Sequence, residues 1–252
     1  MKYLKHFLIL LGVIFLILLI DMVFIKPRVI KIKFDTIEST KIDPEFNDFL
    51  IMYFSEIDYA DNNLLNKISS INKTYNPDIL IYGGNYNDSK KDFLDSLIAK
   101  KAKFAIVGLN ESYNEIKEQY SHVGFELLYN KNISIYKDLN YINIIGLAPY
   151  LDQDSFNNAR LITNPDNLHI AFISTPDSVN NLSNIDHIYS STAYGNEYPF
   201  QKKVAGHNFF KNDKYSLNNT ELSIIESAST KSGIRIFSDN EICLIKLKSA
   251  KN

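Results

Sequence analysis

The 252-residue chain has no tryptophan, one cysteine and five histidines, and its formal net charge is only −2. A lone cysteine, Cys243, excludes a disulfide framework and every zinc motif built on paired cysteines. The balance of 27 basic against 29 acidic residues leaves no basic face for nucleic acid, which needs clustered positive charge to displace counterions from phosphates. Signature strings are missing as well: no G-x-S-x-G elbow, no phosphate loop, no G-x-G-x-x-G turn and no H-E-x-x-H helix. No stretch rich in Pro, Gly or Ser marks a linker, and there is no internal repeat. Five histidines suffice in number for a metal centre, so their placement decides.

Against these absences stands a hydrophobic content of 45%, enough to bury a sizeable core in one large domain. Its longest apolar run is Phe7–Ile20, continued past Asp21 by Met22–Ile25. As a helix, residues 7–25 would span about 28 Å, close to the thickness of a bilayer core. No A-x-A-like cleavage site follows, so residues 1–27 are expected to be an uncleaved signal anchor that tethers the chain to a membrane. Lys2 and Lys5 precede the run, and Lys26, Arg28, Lys31 and Lys33 follow it, so basic flanks do not set orientation. The short leading tail favours an extracytoplasmic domain.

Residues 28–252 read as one mixed α/β domain. Val29–Phe34 alternates apolar and basic residues like a half-exposed strand, while Phe49–Phe54, Asp78–Tyr82 and Phe104–Val107 are continuous apolar runs like strands buried on both faces. Between them, Asp61 can cap a helix carrying Leu64, Leu65, Ile68, Ile71 and Tyr75, and a second helix holds Phe93, Leu94, Leu97 and Ile98. This alternation predicts parallel pairing in the first half. Beyond Gly124 short strands dominate: Phe125–Leu128, Ile133–Tyr136, Tyr141–Gly146, Leu168–Ser174, His187–Ser190, Glu221–Glu226 and Glu241–Lys248, with a helix expected over Asp152–Ile162 and a long loop over residues 191–214. Cys243 sits inside an apolar strand as a core residue. The aromatic residues Tyr194–Phe200 and Phe209–Phe210 suit either core cover or an exposed sticky loop.

Functional residues of such sheets gather on loops after the strands' carboxyl ends. Those loops begin Ser55-Glu56-Ile57-Asp58, Gly83-Gly84-Asn85, Gly108-Leu109-Asn110-Glu111, Ser174-Thr175-Pro176-Asp177 and Ser191-Thr192-Ala193-Tyr194-Gly195. Their order resembles the calcineurin-like metallophosphoesterases, in particular the membrane-anchored bacterial branch, whose loops read Ser-Asp-x-His, Gly-Asp, Gly-Asn-His-Asp, Ser-His-x-Pro-Asp and Gly-His-x-His-Gly-Gly. Pro77–Gly84, Ala105–Gly108, Ile144–Leu147 and the tail segments Leu217–Leu222, Ile234-Arg235 and Glu241-Ile242 resemble the family's strands, and the likeness runs over residues 28–248. It implies a layered αββα sandwich, and a site where two metal ions activate water against a phosphoester.

The departures govern the functional expectation. By the resemblance, Glu56 and Asp58 stand for the first Asp and His, Asn85 for the Asp bridging both ions, and Leu109 for the ligand Asn. Asn110 stands for the His assisting the leaving group, and Thr175, Thr192 and Tyr194 for the remaining histidines. Leu109 cannot coordinate, neutral hydroxyls are poor substitutes for imidazole, and losing the bridging charge leaves two dications repelling each other. The expectation is a membrane-anchored pseudoenzyme with a binding or structural role, no catalytic residues and no cofactor. The alternative is an active metal-dependent phosphohydrolase in which Glu56, Asp58 and Asn85, with Glu111, hold one Mg²⁺ or Ca²⁺ through oxygen donors. A diverged paralogue under weak constraint is a third reading. Residues 7–25 make the membrane the expected partner, nucleic acid is not one, and a protein or ligand partner is left open. His6, His122, His169, His187 and His207 fall on no position where the family pattern needs imidazole, and His187 alone lies near a site loop in sequence.

Overall fold

Apolar runs become strands wherever they can be sandwiched between two other layers. The computed structural model describes residues 2–109, 111–149, 164–176, 179, 182, 184–192, 214–217, 219–236 and 239–251. Helix α1 (Lys2–Ile20) passes through a widened turn at Asp21–Ile25 and a tight turn at Lys26–Arg28 directly into β1 (Ile30–Ser39). The span Tyr3–Arg28 is long and apolar enough to cross a membrane, and none of its apolar window is buried in the protein. There follow β2 (Leu50–Ser55), α2 (Asn62–Tyr75), β3 (Ile79–Gly83), α3 (Lys91–Ser96), β4 (Ala102–Ile106), α4 (Tyr113–His122), β5 (Glu126–Leu128), β6 (Lys131–Lys137) and β7 (Asn140–Leu147). The chain then supplies β8 (His169–Ile173), β9 (His187–Thr192), β10 (Lys214–Leu217), β11 (Thr220–Glu226) and β12 (Asn240–Ser249). The helix expected over 152–162 and most of the loop expected over 191–214 lie outside the described residues.

The strands form two mixed six-stranded sheets, ordered β1-β12-β2-β3-β4-β5 and β10-β11-β9-β8-β7-β6. Strands β2 to β5 run parallel, as their alternation with helices predicts. The last strand, β12, enters between β1 and β2, parallel to the first and antiparallel to the second. Facing residues of both sheets, among them Tyr53, Ile81, Phe104 and Ile245 from one and Ile144, Phe172, Tyr189 and Ile225 from the other, form the central core. Helices α2, α3 and α4 cover the outer face of the first sheet through Leu64, Ile68, Leu94, Ile116 and Tyr120. Val179, Leu182 and Ile185 pack on the outer face of the second.

Local chemistry sets the element ends. The Asp61 carboxylate accepts from Leu64 N–H and caps α2, and Asn76 closes that helix in the left-handed conformation, φ 42°. Helix α3 stops at Ser96 and does not carry Leu97 and Ile98 as helical residues. The buried Asn72 amide instead donates to Ile98 O at 2.8 Å, and its carbonyl accepts from Ile98 N–H at 2.9 Å. Strand β10, unanticipated in sequence, folds back on β11 through a turn in which Asn219 takes a left-handed φ of 74°.

One ionic seam joins the sheets. Buried Asp35 of β1 accepts from Tyr189 Oη of β9 at 2.7 Å and Lys214 Nζ of β10 at 2.6 Å, and Lys214 also reaches Glu221 at 2.7 Å. Burial pushes the Asp35 carboxyl up, but the bonds from Lys214 and Tyr189 outweigh it and hold the group below its ordinary value. Its contribution to stability is therefore complete above the unfolded carboxyl value of about 4 and is lost as pH falls through the lower folded one. Thermal melts of the detergent-purified chain should lose stability on acidification below about pH 4, with a shallower loss in Asp35→Asn. Asp35→Ala should cost about 2 kcal/mol at neutral pH, reduced from a fully buried pair because Lys214 is partly exposed.

Candidate functional site

Parallel strands deliver their carboxyl ends to one end of the sandwich, and the polar residues singled out above collect there. At the end of β2, Glu56 takes a left-handed φ of 52°, and its N–H donates to Gly83 O at 2.9 Å. Gly84, φ 145°, lies where a Cβ would come within 2.8 Å of Glu56 N, so the two loop backbones can touch only with glycine there. The second sheet is stitched on by Ala228 N–H to Ser55 O at 2.8 Å and Ser229 Oγ to Glu56 O at 2.7 Å. Sequence reasoning missed this stitch and the wholly buried Arg235 behind it. The Arg235 guanidinium donates to Ser227 O, Ser227 Oγ, Ser229 O and Asp239 O at 2.7 to 2.9 Å, fixing the loop after β11. In sequence Arg235 stood only as part of the Ile234-Arg235 segment of the family likeness, with no role given to its guanidinium.

Glu56, Asp58, Asn85 and Glu111 are brought to neighbouring loops, where the Asp58 and Glu111 carboxylates are bonded to loop amides, while Asn85 Oδ1 is buried with no hydrogen-bond partner among the described residues. The Asp58 carboxylate accepts from Asn87 Nδ2 at 3.4 Å and from the Asn85 amide. Burial pushes the Asp58 carboxyl up against the pull of those amides and of Lys90. Asn85 thus turns its donor toward Asp58, while its Oδ1 lies against Gly108, where a Cβ would collide with it. The Glu111 carboxylate accepts from Gly108 N–H at 2.9 Å and from Tyr86 N–H, clamping the β4 loop to the β3 loop. Burial raises the Glu111 carboxyl too, opposed by the two N–H donors and reinforced by the charge of Asp58. Tyr120, wholly buried and donating to Gly84 O at 3.0 Å, is pushed far up by burial and then by the charges of Glu111, Glu56 and Asp58.

From the second sheet come hydroxyls. Ser174 and Thr175 at the end of β8 and Ser190 and Ser191 near the end of β9 are all fully buried, as is Ser55 opposite. Ser191 Oγ donates to Ser174 O at 3.1 Å, and the buried Tyr53 phenol, pushed up by desolvation, lies beside Ser191. Thr192 ends β9, with its side chain outside the described residues, as are Asn110 and Tyr194. Leu109 is half-buried beside the clamp. His187, near a site loop in sequence, opens β9 and so lies at the opposite end, beside Glu221, Asp186 and Asp35. His169 opens β8 and is likewise remote, its Nε2 3.2 Å from the Asn143 amide.

Among the described residues the donors at this end are carboxylates, amides and hydroxyls, with no imidazole, and a dinuclear transition-metal centre does not fit such a set. Among the described residues, no three His, Cys, Asp or Glu side chains are grouped to hold a metal ion. No family model, no curated protein and no solved structure matches the chain. The Glu111 clamp is directly testable. Glu111→Ala leaves two loop N–H groups without their acceptor and should lower stability by about 2 kcal/mol in thermal melts, whereas Glu115→Ala on the exposed face of α4 should change it by less than about 0.5 kcal/mol.

Proposed function

We propose that the chain is a membrane-anchored, non-catalytic relative of the calcineurin-like metallophosphoesterases, using the scaffold for binding or architecture at a membrane face. One observation carries this reading. The end of the sandwich where that family would hold two ions and an activated water is lined by the buried hydroxyls of Ser55, Ser174, Thr175, Ser190 and Ser191, and its Asp58 and Glu111 carboxylates accept from loop amides. Two mixed six-stranded sheets packed face to face, with helices on the outer face of the first, support the family assignment. An exposed apolar helix at the amino terminus supports single-pass anchoring.

Catalysis would need a group to generate a nucleophile. The described hydroxyls have no imidazole at their end of the strands, and burial makes Tyr53 a weaker acid. The crowding of Glu56, Asp58 and Glu111 around Tyr120 favours, as the second reading, one Mg²⁺ or Ca²⁺ held by oxygen donors. The full-length chain, purified in detergent, should carry no stoichiometric Mn, Fe or Zn by elemental analysis. It should also hydrolyse bis(p-nitrophenyl) phosphate no faster with Mn²⁺, Mg²⁺ or Ca²⁺ than without. Metal-dependent turnover abolished by Glu56→Ala and Asp58→Ala would replace this reading with that of an active phosphohydrolase.

A further inference from the structure

We infer that the end of the domain bearing the candidate site is seated in the phospholipid headgroup layer of the bilayer spanned by α1, so that whatever this end binds is met at the membrane surface. The inference rests on the anchoring proposed above. Three observations carry it.

The first is a junction without slack. β1 begins two residues after the Lys26–Arg28 turn, and its ladder with β12 starts at once, Ile30 opposite Asn240. The buried Asn240 amide donates to Pro27 O at 2.8 Å and Val29 O at 2.9 Å, and lies 3.4 Å from Lys26 O. Arg235 N–H donates to Met22 O at 3.1 Å, Lys26 Nζ to Ile236 O at 2.9 Å and Lys67 Nζ to Arg28 O at 2.6 Å. The helix end is bonded to β12, to the loop after β11 and to α2, while residues 3–18 project clear of the domain.

The second is strand direction. β1 and β12 run away from the helix end, and β2, antiparallel to β12, runs back toward it. Cys243 lies opposite Tyr53, so Ser55 falls at the level of Glu241, one residue into β12. β3, β4 and β5 share the direction of β2, and the Ser229–Glu56 stitch brings the end of β11 to the same level. The loops at Glu56–Asp58, Gly84–Asn87 and Gly108–Glu111 therefore all open at the end where α1 leaves.

The third is surface chemistry. Tyr59, half exposed, stands in the β2 loop, with its N–H 3.3 Å from Ser229 Oγ. Arg28, Lys31 and Lys67 are exposed at the same end, and Arg28 and Lys31 are matched by Asp61 at 3.7 Å and Asp239 at 3.6 Å. Tyrosine and basic side chains favour the bilayer interface, and a rim carrying both signs of charge complements headgroups that pair phosphate with ammonium. At the opposite end, Leu139 sits in the β6–β7 turn, eight residues before the end of β7 and so roughly 26 Å away.

The test uses the full chain in vesicles of 3:1 phosphatidylcholine and phosphatidylglycerol, with a fluorophore at Tyr59→Cys, at Leu139→Cys, or at Lys231→Cys, an exposed position in the loop after β11 between Ser229 and Arg235. Native Cys243 is fully buried and stays unlabelled. A nitroxide on the lipid headgroup should quench the labels at 59 and 231 several-fold more than the label at 139. Equal quenching at all three positions, or aqueous behaviour at 59 and 231 in protein that resists alkaline carbonate extraction, would overturn the inference and leave the anchor standing. Release of the protein by carbonate would overturn both.

Discussion

The structure depends on β12 seating itself between β1 and β2. Without it β1 has no hydrogen-bonded neighbour in its sheet among the described residues, where its ladder runs along β12 from Ile30–Asn240 to Ser39–Ser249. That ladder joins segments about two hundred residues apart in sequence, so the first sheet is completed only when nearly the whole chain has closed. The inserted strand is buried along Asn240–Ile245, and Ile242, Cys243, Leu244 and Ile245 alternate between the outer core under the helices and the central core between the sheets. Burial of those four side chains supplies the driving force, and the ladder fixes the register.

The same strand organises the polar end. Because β12 is antiparallel to β2, the starting edge of one is the finishing edge of the other, and Asn240 and Glu241 lie where the loops of β2, β3 and β4 emerge. Polar atoms removed from water there need partners, and loops at the end of a sheet have few backbone ladders to offer. Side chains meet part of that demand: Glu241 accepts from Glu226 N–H, Glu111 from Gly108 and Tyr86, and Arg235 donates to three carbonyls, while Ser55 Oγ, Ser174 Oγ and Asn85 Oδ1 are buried with no hydrogen-bond partner among the described residues. A carboxylate or guanidinium used this way holds a loop in place. The serine and threonine side chains at this end are small and neutral, unlike an imidazole, which titrates near neutrality and binds metals.

Much of this was legible in the sequence, and what was not has physical reasons. Continuous apolar runs at Phe49–Phe54, Asp78–Tyr82 and Phe104–Val107 identified three central strands within a residue or two at each end, since a strand buried on both faces needs no polar alternation. The Asp61 cap and the parallel pairing of β2 to β5 were likewise local in origin. The entry of β12 between β1 and β2 was not legible, because antiparallel and parallel neighbours leave the same pattern on a strand buried on both sides. The early end of α3 was hidden because it depends on Asn72, more than twenty residues earlier. At the site, sequence identified which loops would meet and named Glu56, Asp58 and Asn85 as neighbours. It could not show that Asn85 gives its amide to Asp58, whereas the start of β9 at His187, which puts that residue at the far end, was already read from the sequence.

These constraints meet at the junction of α1 and β1. A flexible linker would let the domain turn freely, and recruiting the site end to any one surface would then cost orientational entropy each time. Here that entropy is already spent on folding, because the carbonyls of Pro27 and Val29 and of Met22 are acceptors for β12 and for the loop that Arg235 holds. The Arg235 loop is itself bonded to Ser55 and Glu56 through Ala228 and Ser229. Only a handful of hydrogen bonds therefore separates the end of the apolar helix from the polar loops. A substitution that loosens this path would alter the position of the polar end relative to the helix before it altered the central core. That core is built on the opposite faces of the same strands and closes without the helix.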